Sequence, residues 1–285
     1  GSAFSGSSIC VSNSGTIGYA EFNLQDDSSL KLFTDGNVEE MSVNAWGGSS
    51  ALMTNLGTLE TSENSLSSGS GLALVNGSEI NTLQVNATEG SEVILDSYGN
   101  VDHTDVCVQN ESEFSLTNTG DMGEVEVKTS GGSQTVLDNF TYIDDTYLSA
   151  DTGSVVSAVN SGTMESVELY SQNDSTIAYV NEAYTETLST SANSFASILV
   201  DNYDFINNTA TYTNSAYTTL FNEGYLENVY MYDTLDQTNL VNYSDINTVN
   251  LESGVSGEFN VDTTQGNIYY LTSKIKEGSI LNLIS

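Results

Sequence analysis

The chain of 285 residues carries 39 acidic side chains against four Lys, with one His, no Pro and no Arg, for a formal charge of −35. Nucleic acid and anionic membrane surfaces are therefore not expected partners, because both are bound by neutralising phosphates with Lys and Arg. The longest apolar runs are about four residues, too short for a segment that inserts into a bilayer.

The chain opens with a segment, 1–12, that reads as an N-terminal remnant and cap; Gly1-Ser2 suggests a join ahead of which an export signal was removed. From Asn13 a repeat sets in. Its blocks start at Asn13, Asp35, Asn55, Asn76, Ser97, Asn118, Asn139, Asn160, Asn181, Asn202, Asn222, Asn242 and about Asp262, thirteen in all. The spacing is 21 residues from Asn55 to Asn202 and 20 from Asn202 to Asn242. So short a unit cannot bury an apolar face alone and must be one layer of a stack. The block from Asn160 begins Asn-Ser-Gly-Thr-Met-Glu-Ser-Val-Glu-Leu, with apolar residues at its fifth, eighth and tenth positions.

Leu83 and Val85, Val125 and Val127, Val167 and Leu169, Val229 and Met231, and Val249 and Leu251 each stand two apart with a polar residue between. This is strand alternation. Helical repeats run longer, and the signature of leucine-rich repeats is missing. The predicted fold is all-β, a parallel β-solenoid whose coils are spaced at about 4.8 Å, giving a rod on the order of 60 Å. Repeats fill 13–261. Residues 262–285 form a final atypical coil or C-terminal edge, with Lys274 and Lys276 and an apolar end at Ile280, Leu281, Leu283 and Ile284.

Asn at the first position has two structural explanations: a ladder of amide hydrogen bonds from coil to coil, or tolerance of a positive φ. Gly at the third position (Gly15, Gly57, Gly99, Gly120, Gly162, Gly224) reads as turn punctuation. Cys10 and Cys107 lie on the order of 20 Å apart along such a stack, too far for a disulfide. Cys107, between Val106 and Val108 and near His103, is neither a metal site nor a nucleophile by this pattern.

Function must then lie on the outward positions. Acids recur at the sixth, at Glu60, Asp102, Asp144, Glu165, Glu186 and Glu227; Asp144, Glu165 and Glu186 follow one another in successive coils. Such a stripe suits a divalent ion or a basic partner. A solvated face is the preferred reading, since the Asp-x-Asp-x-Asp-Gly type of loop is missing, and no metal or cofactor is expected. Aromatics are lopsided: fourteen of the sixteen Tyr lie at or after Tyr142. Tyr142, Tyr184, Phe205 and Tyr225 occupy the fourth position, and Tyr170, Tyr212 and Tyr232 the eleventh. Exposed rows of this kind offer flat contact area to a sugar or to a partner rod, or simply stabilise neighbouring strands.

A polysaccharide lyase or hydrolase is the competing class. Proton abstraction from uronates calls for a cation, and the four Lys are scattered; paired carboxylates at about 5–10 Å would arise between any two acidic coils. The chain is therefore read as non-catalytic, with a degradative β-helix enzyme or a purely structural stalk as alternatives. Asn-x-Ser/Thr sequons begin at Asn76, Asn86, Asn110, Asn139, Asn173, Asn207 and Asn242, a number that chance accounts for in so Asn-, Ser- and Thr-rich a chain.

Tandem coils of this length, rich in Asn, Ser, Thr and Gly, with Asn-x-Gly turns before an apolar-x-x-Val-x-Val strand and Gly doublets at Gly47-Gly48 and Gly131-Gly132, resemble the passenger domains of self-associating autotransporter adhesins. That resemblance implies a right-handed parallel β-helix displayed on the bacterial surface or secreted. It implies adhesion or cell-to-cell aggregation, as in biofilms, through a second copy, a host glycan or a surface protein.

Overall fold

The computed structural model describes residues 1–285 and contains strands and turns but no helix. Two compact units, Gly1–Asp144 and Asp145–Ser285, are built from the same coil. The fold is a parallel β-solenoid of about thirteen turns. In the coil that starts at Asn76 a long strand, Glu79–Ala87, is followed by a short one, Glu92–Ser97. Long strands pair only with long strands of neighbouring coils and short with short, all parallel and one repeat apart, as with Ile80 opposite Val101 and Leu95 opposite Leu116.

Alternation fixes which residues face in. Ile80, Leu83, Val85, Met164, Val167, Leu169, Ile246, Val249 and Leu251 are all at most 4% exposed. Each such side chain contributes roughly 1.5–3 kcal/mol by leaving water. Between the fifth and eighth positions two successive residues point outward, as Asn81 and Thr82 do between Ile80 and Leu83. The long strand therefore bends there, and the sixth residue drops out of the pairing register, which passes from Val101–Met122 directly to His103–Glu124.

The first turn is held by the Asn column. Asn55 Nδ2 donates to Asn76 Oδ1 at 2.9 Å, and Asn118 to Asn139 at 2.9 Å. In the C-terminal unit the steps Asn160–Asn181, Asn181–Asn202, Asn202–Asn222 and Asn222–Asn242 measure 2.8–3.0 Å. The amide oxygens of Asn55, Asn76, Asn118, Asn139, Asn160 and Asn242 also accept from the backbone two residues on, as at Gly57 and Gly162. None of these Asn has a positive φ, so the ladder, not conformational tolerance, accounts for the column. Three of the sequon residues, Asn76, Asn139 and Asn242, are buried members of it and are closed to glycosylation in the folded chain.

The pairing corrects two block starts. Thr34, not Asp35, stands opposite Asn13 and Asn55, and its hydroxyl accepts from Asn13 at 3.1 Å; Asp262 closes a coil, so the next begins at Thr263. Thr34 fits the column because what the ladder uses is a buried acceptor, which a hydroxyl provides as well as an amide. Gly at the third position is also not there for unusual φ. A Cβ on Gly57 would lie 2.0 Å from the carbonyl oxygen of Gly36, and one on Gly99 1.9 Å from that of Ser78, so close stacking of turns is what demands the glycine. The segment 1–12 already carries the first short strand, Ser8–Asn13, paired with Ser29–Thr34.

The second turn is made differently. Two consecutive residues take left-handed backbone: Asp26-Asp27, Gly47-Gly48, Asn110-Glu111, Gly131-Gly132 and Asn173-Asp174, with φ from 55° to 75°. Then comes a buried Ser, at 28, 49, 70, 91, 112, 133, 154 and 175. The hydroxyls of Ser28, Ser49 and Ser91 donate back to the carbonyl three residues earlier, as from Ser91 to Thr88 at 2.7 Å, and several of these hydroxyls accept the amide of the preceding coil's Ser, as from Ser91 N to Ser112 Oγ at 3.2 Å. Where the repeat shortens to 20, this turn absorbs the loss. Ser215 stands alone at positive φ before Ala216, and in the next coil the buried carboxylate of Asp233 accepts the amides of Asp236 and Glu258.

Candidate binding surface

Every residue picked out on the outward positions does point outward, exposed or half-buried. Tyr142 and Asp144 lie in the N-terminal unit; Glu165, Tyr170, Tyr184, Glu186, Phe205, Tyr212, Tyr225 and Tyr232 lie in the C-terminal one. There the fourth-position column runs Thr163, Tyr184, Phe205, Tyr225, Asp245. Its three aromatic rings stack almost parallel, with centroids 5.6 and 5.5 Å apart and interplanar angles of 3° and 12°. Equal placement in successive coils brings the rings together, and the slight excess over the strand spacing means that they overlap with an offset.

The carboxylates two residues on are tied to this row. Tyr184 donates its hydroxyl to Glu186, and Tyr225 donates to Glu227 at 2.7 Å. From the following coil Asn207 donates to Glu186 at 2.6 Å and Asn247 to Glu227 at 2.6 Å. The sixth column here is thus Glu186, Asn207, Glu227, Asn247, acid alternating with amide, and the like charges that a stripe would set at one strand spacing are separated by neutral donors. The hydrogen bonds from Tyr184 and Asn207 hold the Glu186 carboxyl below its ordinary value, and the same bond to Glu186 raises the Tyr184 phenol. No group of three or more His, Cys, Asp or Glu side chains gathers closely enough to hold a metal ion.

The eleventh-position row is broken. Ser191 separates Tyr170 from Tyr212, and Tyr170 turns to Gln172, donating to it at 2.8 Å. Tyr212 and Tyr232 do meet, at 6.4 Å and a 49° tilt, with Tyr230 of the ninth position 5.9 Å from Tyr212. Tyr230 was not picked out from the sequence. Its signal was available, as an outward residue flanked by the buried Val229 and Met231. Tyr179, by contrast, faces inward and is fully buried, its hydroxyl 2.7 Å from that of Thr185, and burial raises its pKa. Cys10 and Cys107 are free thiols, the latter accepting a hydrogen bond from Gln109.

No protein-family model, curated protein or solved structure matches the chain.

Proposed function

We propose that the chain is an adhesive solenoid displayed outside the bacterial cell, and that it acts by lateral contact with a second copy through the outward row Tyr184, Phe205 and Tyr225. The stacked geometry of these rings carries the proposal. Rings packed face to face along the stack turn their edges to solvent, and edges suit interdigitation with another protein surface, whereas a sugar stacks on a ring face. Glu186, Asn207, Glu227 and Asn247 beside the row form a polar rim. At −35 per chain, two copies repel over long range, so contact strengthens as salt screens the charge.

The test replaces Tyr184, Phe205 and Tyr225 together with Ser and measures sedimentation of the isolated chain, and clumping of cells displaying it, at low and high salt. The parent chain should associate more at high salt and the triple variant should stay monomeric, while single substitutions do little because each coil adds a weak contact. Unchanged association of a folded triple variant would reject the row.

A further inference from the structure

At the first turn of the C-terminal unit, the residue after each ladder Asn forms a separate column: Tyr203, Glu223 and Tyr243 follow Asn202, Asn222 and Asn242. Their amides are pinned to the carbonyls of Asn181, Asn202 and Asn222 at 2.8 Å each, so the three side chains leave the backbone at equivalent points of successive coils. At the strand spacing the two Tyr stand two coils apart, about 10 Å, with the Glu223 carboxylate between them. The positions before the ladder add Asp201 and Phe221, and together with Asn202 these residues line a shallow cleft of about 320 Å³.

The lining contains three aromatic rings and two carboxylates and no cationic side chain. Burial and the charge of Glu223 push the Asp201 carboxyl up, and the charges of Asp201 and Glu223 push up the Tyr203 phenol, so the two acids share one local field. Apolar ring surface beside concentrated negative charge is the chemistry that holds a weakly hydrated organic cation, since the rings attract it through their faces and the carboxylates through charge.

We propose that the cleft between Tyr203 and Tyr243 binds a quaternary ammonium group, with its methyl groups against Tyr203, Phe221 and Tyr243 and its charge between Asp201 and Glu223. The site stands apart from the aromatic row of the fourth position and does not rest on the adhesive role. A strongly hydrated primary ammonium should bind less well, because the aromatic surface cannot replace its water.

The experiment titrates the chain with choline, with its neutral isostere 3,3-dimethylbutanol and with n-butylammonium, following tyrosine ring resonances by NMR. Saturable choline binding in the millimolar range is expected, at least about threefold tighter than either comparison compound. Glu223→Gln and Tyr243→Ala, both at outward positions, should each weaken it about threefold or more, and Tyr184→Ser should leave it unchanged. Equal binding of the neutral isostere or of n-butylammonium, no saturation with choline, or full affinity in both folded cleft variants would overturn the proposal.

Discussion

The two turns of each coil solve one problem by opposite means. Both must satisfy backbone groups where the strand ladder is interrupted. At the first turn a side chain does it: the Asn amide bonds its own backbone and the next coil's amide, and the main chain stays in ordinary conformations. At the second the main chain does it, by entering the left-handed region twice and turning its amides onto the coil that follows, with Ser filling in behind. A turn built on a side-chain ladder requires a buried polar acceptor at one fixed position, Asn in most coils and the hydroxyl of Thr34 or Ser97 in two. A turn built on backbone tolerates Asp, Gly, Asn, Ser, Glu and even Phe195, and it can lose a residue. That difference explains why the repeat contracts from 21 to 20 at Ser215 and not at Asn202.

The largest expected effect is at the ladder. Asn202→Leu breaks the ladder in both directions, removing the acceptor of the Asn181 amide and the donor to Asn222, Asp204 and Tyr225 and placing an apolar side chain in a buried polar column, and should cost about 3–5 kcal/mol. Ser112→Ala at the other turn removes the hydroxyl that accepts the Ser91 amide and should cost about 1 kcal/mol. Urea unfolding midpoints of the two variants decide it, and equal losses would abolish the distinction drawn between the turns.

Asp233 gives an intermediate effect that depends on pH. Burial pushes its carboxyl up to about 6, against the resisting hydrogen bonds from the amides of Asp236 and Glu258. The folded chain thus binds this proton more tightly than the unfolded chain does. The resulting stabilisation is complete below about pH 4 and lost as pH rises through about 6, on the order of 3 kcal/mol in all. Melting temperature should therefore fall between these values in the parent chain, and Asp233→Asn should flatten that slope; a parallel slope in the variant would assign it to other groups.

The smallest effect is a matter of length. A Gly inserted after Ser215 restores the two-residue left-handed turn and should change stability by less than about 1 kcal/mol. The same insertion after Asn202 shifts Tyr203 and Asp204 out of step with the ladder and should be clearly worse. Equal tolerance at both places would show that the ladder does not set the length of the coil.

Much of this was legible in the sequence. The inward residues and the Asn column declare themselves because side-chain alternation and repeat spacing are properties of residue order. The buried Ser column is just as regular from Ser28 to Ser175 yet carried no meaning, since Ser is equally at home in an exposed loop. The reason for Gly57 and Gly99 lies in the distance to another coil's carbonyl, which no single block contains. At the candidate surface the fourth-position row was found by spacing. The break at Ser191 was there to be read, but the hydrogen bonds from Asn207 to Glu186 and from Asn247 to Glu227 emerge only when coils are laid one on another.

The backbone donors of the two turns also run in opposite directions along the stack. Amides at the first turn reach the preceding coil, as Tyr98 N and Gly99 N reach Asn76 O; at the second, the amides of the left-handed residues reach the following one, as Asp27 N reaches Gly47 O and Glu111 N reaches Gly131 O. Each coil is therefore keyed like a plug, with donors at one corner and acceptors at the other on either face. A coil laid on with its corners exchanged would meet donor against donor, so rotational phase is enforced by charge before any side chain packs. This lets a chain with so little sequence difference between coils wind up without losing count.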